Sequence, residues 1–132
     1  MARILLVEDD ALQLEVRSRL LEAGGHEALA AFSPSEALRQ AANAQLVVMD
    51  LRFVNAEGRS DPAEGLALIR QIRARGYRMP LIVLSGWPGD LDGHDESQMI
   101  AQVLSKPVSM ATLLRAVSDA LEGGNAAPVT AT

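Results

Sequence analysis

The stretch Ile4-Leu5-Leu6-Val7-Glu8-Asp9 is an unbroken apolar run that stops at two carboxylates. The same plan returns further on. Leu46-Val47-Val48-Met49 stops at Asp50, Leu81-Ile82-Val83-Leu84 stops at Ser85, and the short run Val103-Leu104 is closed by Lys106-Pro107. Short runs without polar alternation read as strands covered on both faces. Longer segments of helical character separate them, which is the pattern of βαβ units and a parallel sheet. The strand ends of such a sheet share one edge, and ligands bind in the crevice beyond it. Glu8, Asp9, Asp50, Ser85 and Lys106 therefore converge.

The intervening segments carry helix signals. From about Ala11 to Ala23 the apolar residues Leu12, Val16 and Leu20 recur at helical spacing, with Leu21 widening the stripe, and Gly24-Gly25 ends the helix. A weaker strand runs from about His26 to Ala31. Ser33-Pro34-Ser35-Glu36 has the cap, proline and glutamate of a helix start, and that helix ends near Asn43. Asp61-Pro62-Ala63-Glu64 repeats the pattern and opens a helix to about Arg75, with Leu66, Ile69 and Ile72 inward. Residues 51 to 62 and 86 to 95 read as loops, and a helix before Val103 is confined to about His94 to Gln102. Ser109 caps a last helix whose stripe is Met110, Leu113, Leu114, Val117 and Leu121.

The length of 132 residues suits one domain, expected over 1–124, with a flexible tail over 125–132. A chain this long buries roughly two-thirds of its unfolded surface and needs no staples. There is no cysteine, which excludes disulfides and thiolate chemistry. No apolar run approaches the ~18 residues of a membrane span. The first strand begins at once, leaving no room for a signal peptide, so a cytoplasmic location is expected. The net charge of −5 argues against direct DNA binding.

Three carboxylates, a hydroxyl and an ammonium at one edge suit a divalent cation and a phosphoryl group. Mg²⁺ favours oxygen ligands and keeps several waters. Asp9 and Asp50 are the expected direct ligands, with Glu8 reaching the ion directly or through water. Carboxylates held together raise one another's pKa unless a cation neutralises them. Asp50 is also the candidate nucleophile, because aspartate forms aspartyl phosphates. Lys106 supplies a point cation for phosphoryl oxygens, and Ser85 a hydroxyl donor.

In Ile4-Leu5-Leu6-Val7-Glu8-Asp9-Asp10, Val47-Val48-Met49-Asp50-Leu51, Leu81-Ile82-Val83-Leu84-Ser85-Gly86 and Lys106-Pro107, the chain resembles a response-regulator receiver domain of two-component signalling. The resemblance covers about residues 2 to 122. It implies a flavodoxin-like, doubly wound α/β fold: a five-stranded parallel sheet of order 2-1-3-4-5 with five flanking helices. It implies Asp50 as phosphoacceptor, Glu8 and Asp9 as the acidic pair, Mg²⁺ (Mn²⁺ as the alternative ion) ligated also by the backbone carbonyl of Arg52, and family roles for Ser85 and Lys106. The implied phosphodonor is a histidine kinase or a histidine phosphotransfer protein. The implied activity is that of a stand-alone signalling phosphoacceptor, which catalyses only its own phosphorylation and dephosphorylation.

The chain departs from the family in three places. The loop from Phe53 to Ala63 is longer than usual, with Gly65 as the glycine matched by context. Val103 stands where the family often has an aromatic ring, so switching is expected to use that loop or the segment from Gly86 to Asp95. That segment also breaks the helix usually found there.

Other readings compete. A phosphate-independent interaction module is the alternative kept open by Val103 and the long loop. A phosphatase of the haloacid-dehalogenase type needs a second Asp where Arg52 stands. A flavodoxin would need a phosphate loop where Glu8-Asp9-Asp10 repels one. His26 and His94 read as surface or turn residues, and Arg70, Arg73 and Arg75 as a solvated helix face. Trp87 reads either as a cover for the phosphate pocket or as a loop anchor.

Overall fold

The structure, a computed structural model, describes residues 2–54 and 57–123. The tail expected over 125–132 and the loop residue Asn55 lie outside them.

The strands are β1 (Arg3–Val7), β2 (Glu27–Ala31), β3 (Leu46–Asp50), β4 (Phe53–Val54), β5 (Ser60–Asp61), β6 (Leu81–Ser85) and β7 (Gln102–Ser105). The helices are α1 (Ala11–Ala23), α2 (Pro34–Gln40), α3 (Ala63–Ala74) and α4 (Met110–Glu122). Five strands form one parallel sheet in the order β2-β1-β3-β6-β7, which is the expected 2-1-3-4-5 once the small β4–β5 hairpin is set aside.

The central strands are buried on both faces, and alternate residues feed two cores. Leu5, Val7, Val47, Met49, Leu81 and Val83 pack with Ala37 of α2 and with Leu68, Ile69 and Ile72 of α3. Ile4, Leu6, Leu46, Val48, Ile82 and Leu84 pack with Leu14 and Leu21 of α1 and with Leu113 and Val117 of α4. Each fully buried side chain of this kind contributes about 1.5–3 kcal/mol, so the layers are held chiefly by apolar burial.

The expected five helices are four among the described residues. Between β6 and β7 the chain makes only two 3-10 turns, Pro88–Leu91 and Asp95–Met99. Pro88, Gly89 and Gly93 break this segment before a helix can propagate. The expected helix over 94–102 shrinks to the second turn. Helix α2 likewise ends at Gln40, and a 3-10 turn carries the chain to Asn43.

The stripe expected on α1 is also corrected. Leu12 is 67% and Val16 51% exposed, while Leu14 and Leu21 are buried. On α4, Met110 is exposed and Leu113, Ala116 and Val117 face inward. The expected caps of α2 and α4 are present: Ser33 Oγ accepts from the Glu36 N–H and Ser109 Oγ from the Thr112 N–H. Asp61 does not cap α3 directly, being in β5, but its carboxylate accepts the Ala63 N–H. Gly65 backs onto the end of β3, where a Cβ would run into the Leu51 carbonyl. Arg73 is not solvated: it donates to the carbonyls of Met99, Tyr77 and Met79.

Candidate functional site

Register brings the polar strand ends together. Val7 lies beside Met49, Met49 beside Val83, and Ser85 beside Ser105. Glu8, Asp50, Ser85 and Lys106 follow or end these rows. The Lys106 N–H donates to the Ser85 carbonyl at 2.8 Å, and the Lys106–Pro107 bond is cis. A cleft of about 640 Å³ opens over this edge, lined by Glu8, Asp9, Asp50, Arg52, Trp87 and Lys106 among others.

Asp50 is the centre of the site. It is 2% exposed, and its Oδ1 lies 3.0 Å from Lys106 Nζ and 3.4 Å from Arg17 Nη1. Glu8, 3% exposed, places Oε1 2.6 Å from the same Arg17 nitrogen, while its Oε2 accepts the Asp10 N–H. Burial, and after it the neighbouring Asp50 carboxylate, push the Glu8 pKa up to about 7.

The other expected residues spend their hydrogen bonds on neighbouring segments. Asp9 Oδ2 accepts the Val54 N–H at 2.9 Å, so the hairpin reaches across to the acidic pair. Asp10 is the cap, accepting from the Leu12 and Gln13 N–H groups. The Ser85 hydroxyl accepts the Trp87 N–H and donates to the Trp87 carbonyl, both at 3.0 Å. It is turned into its own loop and does not line the cleft. Arg52 grips Asp90 with two hydrogen bonds and lies over the Trp87 ring. Trp87 itself lines the cleft, half-exposed.

Two residues were missed at the level of sequence. Asp90 sits in a loop that offers no periodicity. Arg17 had a signal, because Leu14, Arg17 and Leu21 share one helical face. A charge on the buried face of a helix points to a partner inside, but the stripe through Leu12, Val16 and Leu20 hides that face.

The donor set suits Mg²⁺. Every side chain that could ligate is a carboxylate, and Mg²⁺ takes one or two of these and fills the rest of its shell with water. Among the described residues no three acidic or histidine side chains close on a point. Among them, too, no helix is long and apolar enough to cross a membrane.

A family model described as response regulator receiver domain matches residues 4–118. The transcriptional regulatory protein GlrR of Escherichia coli (strain K12) is 32% identical over 132 residues, covering 98% of this chain and 28% of that protein. The chain thus spans about 28% of the length of the curated relatives it matches. A response regulator receiver domain protein from Clostridium thermocellum has a TM-score of 0.77 at 28% identity, covering 93% of this chain and 96% of that one. The response regulator TrrA of Thermotoga maritima, in complex with Mg²⁺–BeF, has a TM-score of 0.73 at 25% identity, covering 90% and 98%. With the sheet order, the strand-end carboxylates and the family model agreeing over nearly all of its length, the chain belongs to the response regulator receiver domain family.

Proposed function

We propose that this receiver domain is a phosphoacceptor. Asp50 takes a phosphoryl group from a phosphohistidine on a histidine kinase or a histidine phosphotransfer protein, and the new charge switches protein–protein contacts. The observation that carries this is the buried Asp50 carboxylate at the end of the central strand, with Lys106 Nζ 3.0 Å from it.

In the step, an Asp50 carboxylate oxygen bonds to phosphorus while the phosphohistidine P–N bond breaks. The departing imidazole keeps the electron pair and takes up a proton. Lys106 is already in place to neutralise charge on the transferred oxygens. Glu8, Asp9, Asp50 and the Arg52 carbonyl would hold Mg²⁺ or Mn²⁺, which supplies further positive charge for the phosphoryl oxygens when bound. The Ser85 hydroxyl reaches the phosphoryl group only by leaving its two bonds to Trp87, which links the site to the segment after β6. Val103 brings no ring to swing, so the loop that holds Trp87 and Asp90 carries the change. The exposed Val16 and Met110 rim the cleft and give a protein donor an apolar place to dock.

Intact-mass spectrometry after incubation with acetyl phosphate tests this. One phosphoryl group gained by the wild type, dependent on Mg²⁺ and absent from Asp50→Ala, is the expected result. The second reading, a phosphate-independent module, is favoured by one observation: Arg17 and Lys106 already neutralise Asp50 without a phosphate. No mass gain from either acetyl phosphate or a phosphorylated histidine phosphotransfer protein would select it.

A further inference from the structure

Arg17 places a permanent cation where a divalent one is expected. Its side chain is 13% exposed, so the guanidinium is enclosed rather than waving at the surface. One nitrogen, Nη1, serves both carboxylates: Glu8 Oε1 at 2.6 Å and Asp50 Oδ1 at 3.4 Å. Lys106 touches Asp50 alone and is more exposed, at 34%; Arg17 is the group that bridges the pair.

We propose that Arg17 is an intramolecular counter-ion that competes with the divalent cation for Glu8 and Asp50, and so sets the cation concentration at which the pocket loads. This rests on the phosphoacceptor reading and deepens it. The physical ground is direct. A cation entering between the two carboxylates meets a like charge using the same oxygens, so the guanidinium must withdraw or the cation binds weakly. Two nearly buried carboxylates repel each other, and Arg17, in contact with both, lessens that repulsion in the unloaded pocket. The fold supplies the means. Arg17 lies on the inward face of α1 between Leu14 and Leu21, which hold the helix in place whatever the side chain does.

The test is a titration of the full chain with Mg²⁺ and with Mn²⁺. Trp87 is the only tryptophan and lines the cleft, so its emission reads binding without any turnover. Isothermal calorimetry gives the affinity independently. Arg17→Leu extends the apolar face of α1 and is expected to bind Mg²⁺ about tenfold more tightly than the wild type, the loss of one close like charge. Arg17→Lys keeps the charge and is expected to stay near the wild type, which a purely structural role for the side chain would not predict. If Arg17→Leu is poorly folded without metal, the rise of its Tm with Mg²⁺ concentration gives the same affinity by linkage.

Equal or weaker binding by Arg17→Leu, in a wild type that binds Mg²⁺ and accepts a phosphoryl group on Asp50, overturns the counter-ion role and leaves the phosphoacceptor reading intact. A wild type and variant that both bind no cation and take no phosphoryl group overturn both.

Discussion

The Arg52 guanidinium lies 4.0 Å over the centroid of the Trp87 ring. The same group donates to Asp90 Oδ2 at 2.8 Å and to Oδ1 at 2.9 Å. A stacked cation and a bidentate ion pair therefore join the loop after β3 to the loop after β6, across the mouth of the Asp50 cleft. The hydrogen bond to Asp90 raises the Arg52 pKa.

Cutting this tie should free the segment after β6 without unfolding the sheet. In Arg52→Ala, amide exchange over residues 87–92 is expected to quicken several-fold and Trp87 emission to shift toward that of a solvated indole. Hydrogen-exchange mass spectrometry reads the first and fluorescence the second. Exchange identical to the wild type would mean that the Asp90 N–H to Trp87 carbonyl turn holds the loop by itself.

Gly65 has no room for a side chain because the Leu51 backbone lies against it. Gly65→Ala should cost about 1–3 kcal/mol through a forced shift of α3 against the end of β3. Urea unfolding measures the loss. Since Leu51 follows Asp50, the same shift should slow phosphoryl uptake from acetyl phosphate, and a variant of normal stability and normal uptake would contradict the close packing.

Arg73 joins α3 to the segments on either side of β6 through four hydrogen bonds to three carbonyls. Burial, and after it the neighbouring Arg78, lowers its pKa. Arg73→Leu leaves those carbonyls without their donor and is expected to lose about 2–3 kcal/mol in chemical denaturation. A loss under half a kcal/mol, about the level of an ordinary surface change, would show that water replaces the side chain there.

Glu8 gives the metal-free protein a pH dependence of definite sign. Its folded pKa, about 7, stands above the ordinary 4.5. Below 4.5 both the folded and the unfolded chain hold the proton, and the contribution is fully present. Between 4.5 and 7 the unfolded chain ionises while the folded one keeps its proton, so stability falls as pH rises. The difference in Tm between the wild type and Glu8→Gln, in chelator, should change across this window and level off above it. A difference flat from pH 4 to 8 would contradict the raised value. Mg²⁺ favours the ionised carboxylate and should abolish the slope.

The sheet and the position of its polar edge were legible because continuous apolar runs leave a buried strand little choice of place. Glu8, Asp50 and Lys106 meet as their spacing implied. Ser85 and Asp9 share the edge but spend their hydrogen bonds on Trp87 and Val54, and sequence spacing carries no record of side-chain rotation. The hairpin's strands, Phe53–Val54 and Ser60–Asp61, are two residues each, too short to show alternation, and so read equally well as open loop. The missing helix was foreseeable from Pro88, Gly89 and Gly93, and the family pattern outweighed them in the expected count. The α1 stripe failed for another reason. Of its expected stripe, Leu20 and Leu21 pack inward but Leu12 and Val16 do not, because the buried face runs through Leu14, Arg17 and Leu21, with Arg17 meeting the carboxylates.

That choice ties the helix to the pocket. Helix α1 docks with two leucines and an arginine, while Leu12 and Val16 stay in water. The acidic residues thus receive a side chain from a helix of the same chain, and a buried ion pair joins the apolar contacts between this layer and the sheet. Any event that draws Glu8 and Asp50 away from Arg17 frees that side chain while Leu14 and Leu21 keep the helix docked, so the site can exchange its cation without disturbing the wall behind it.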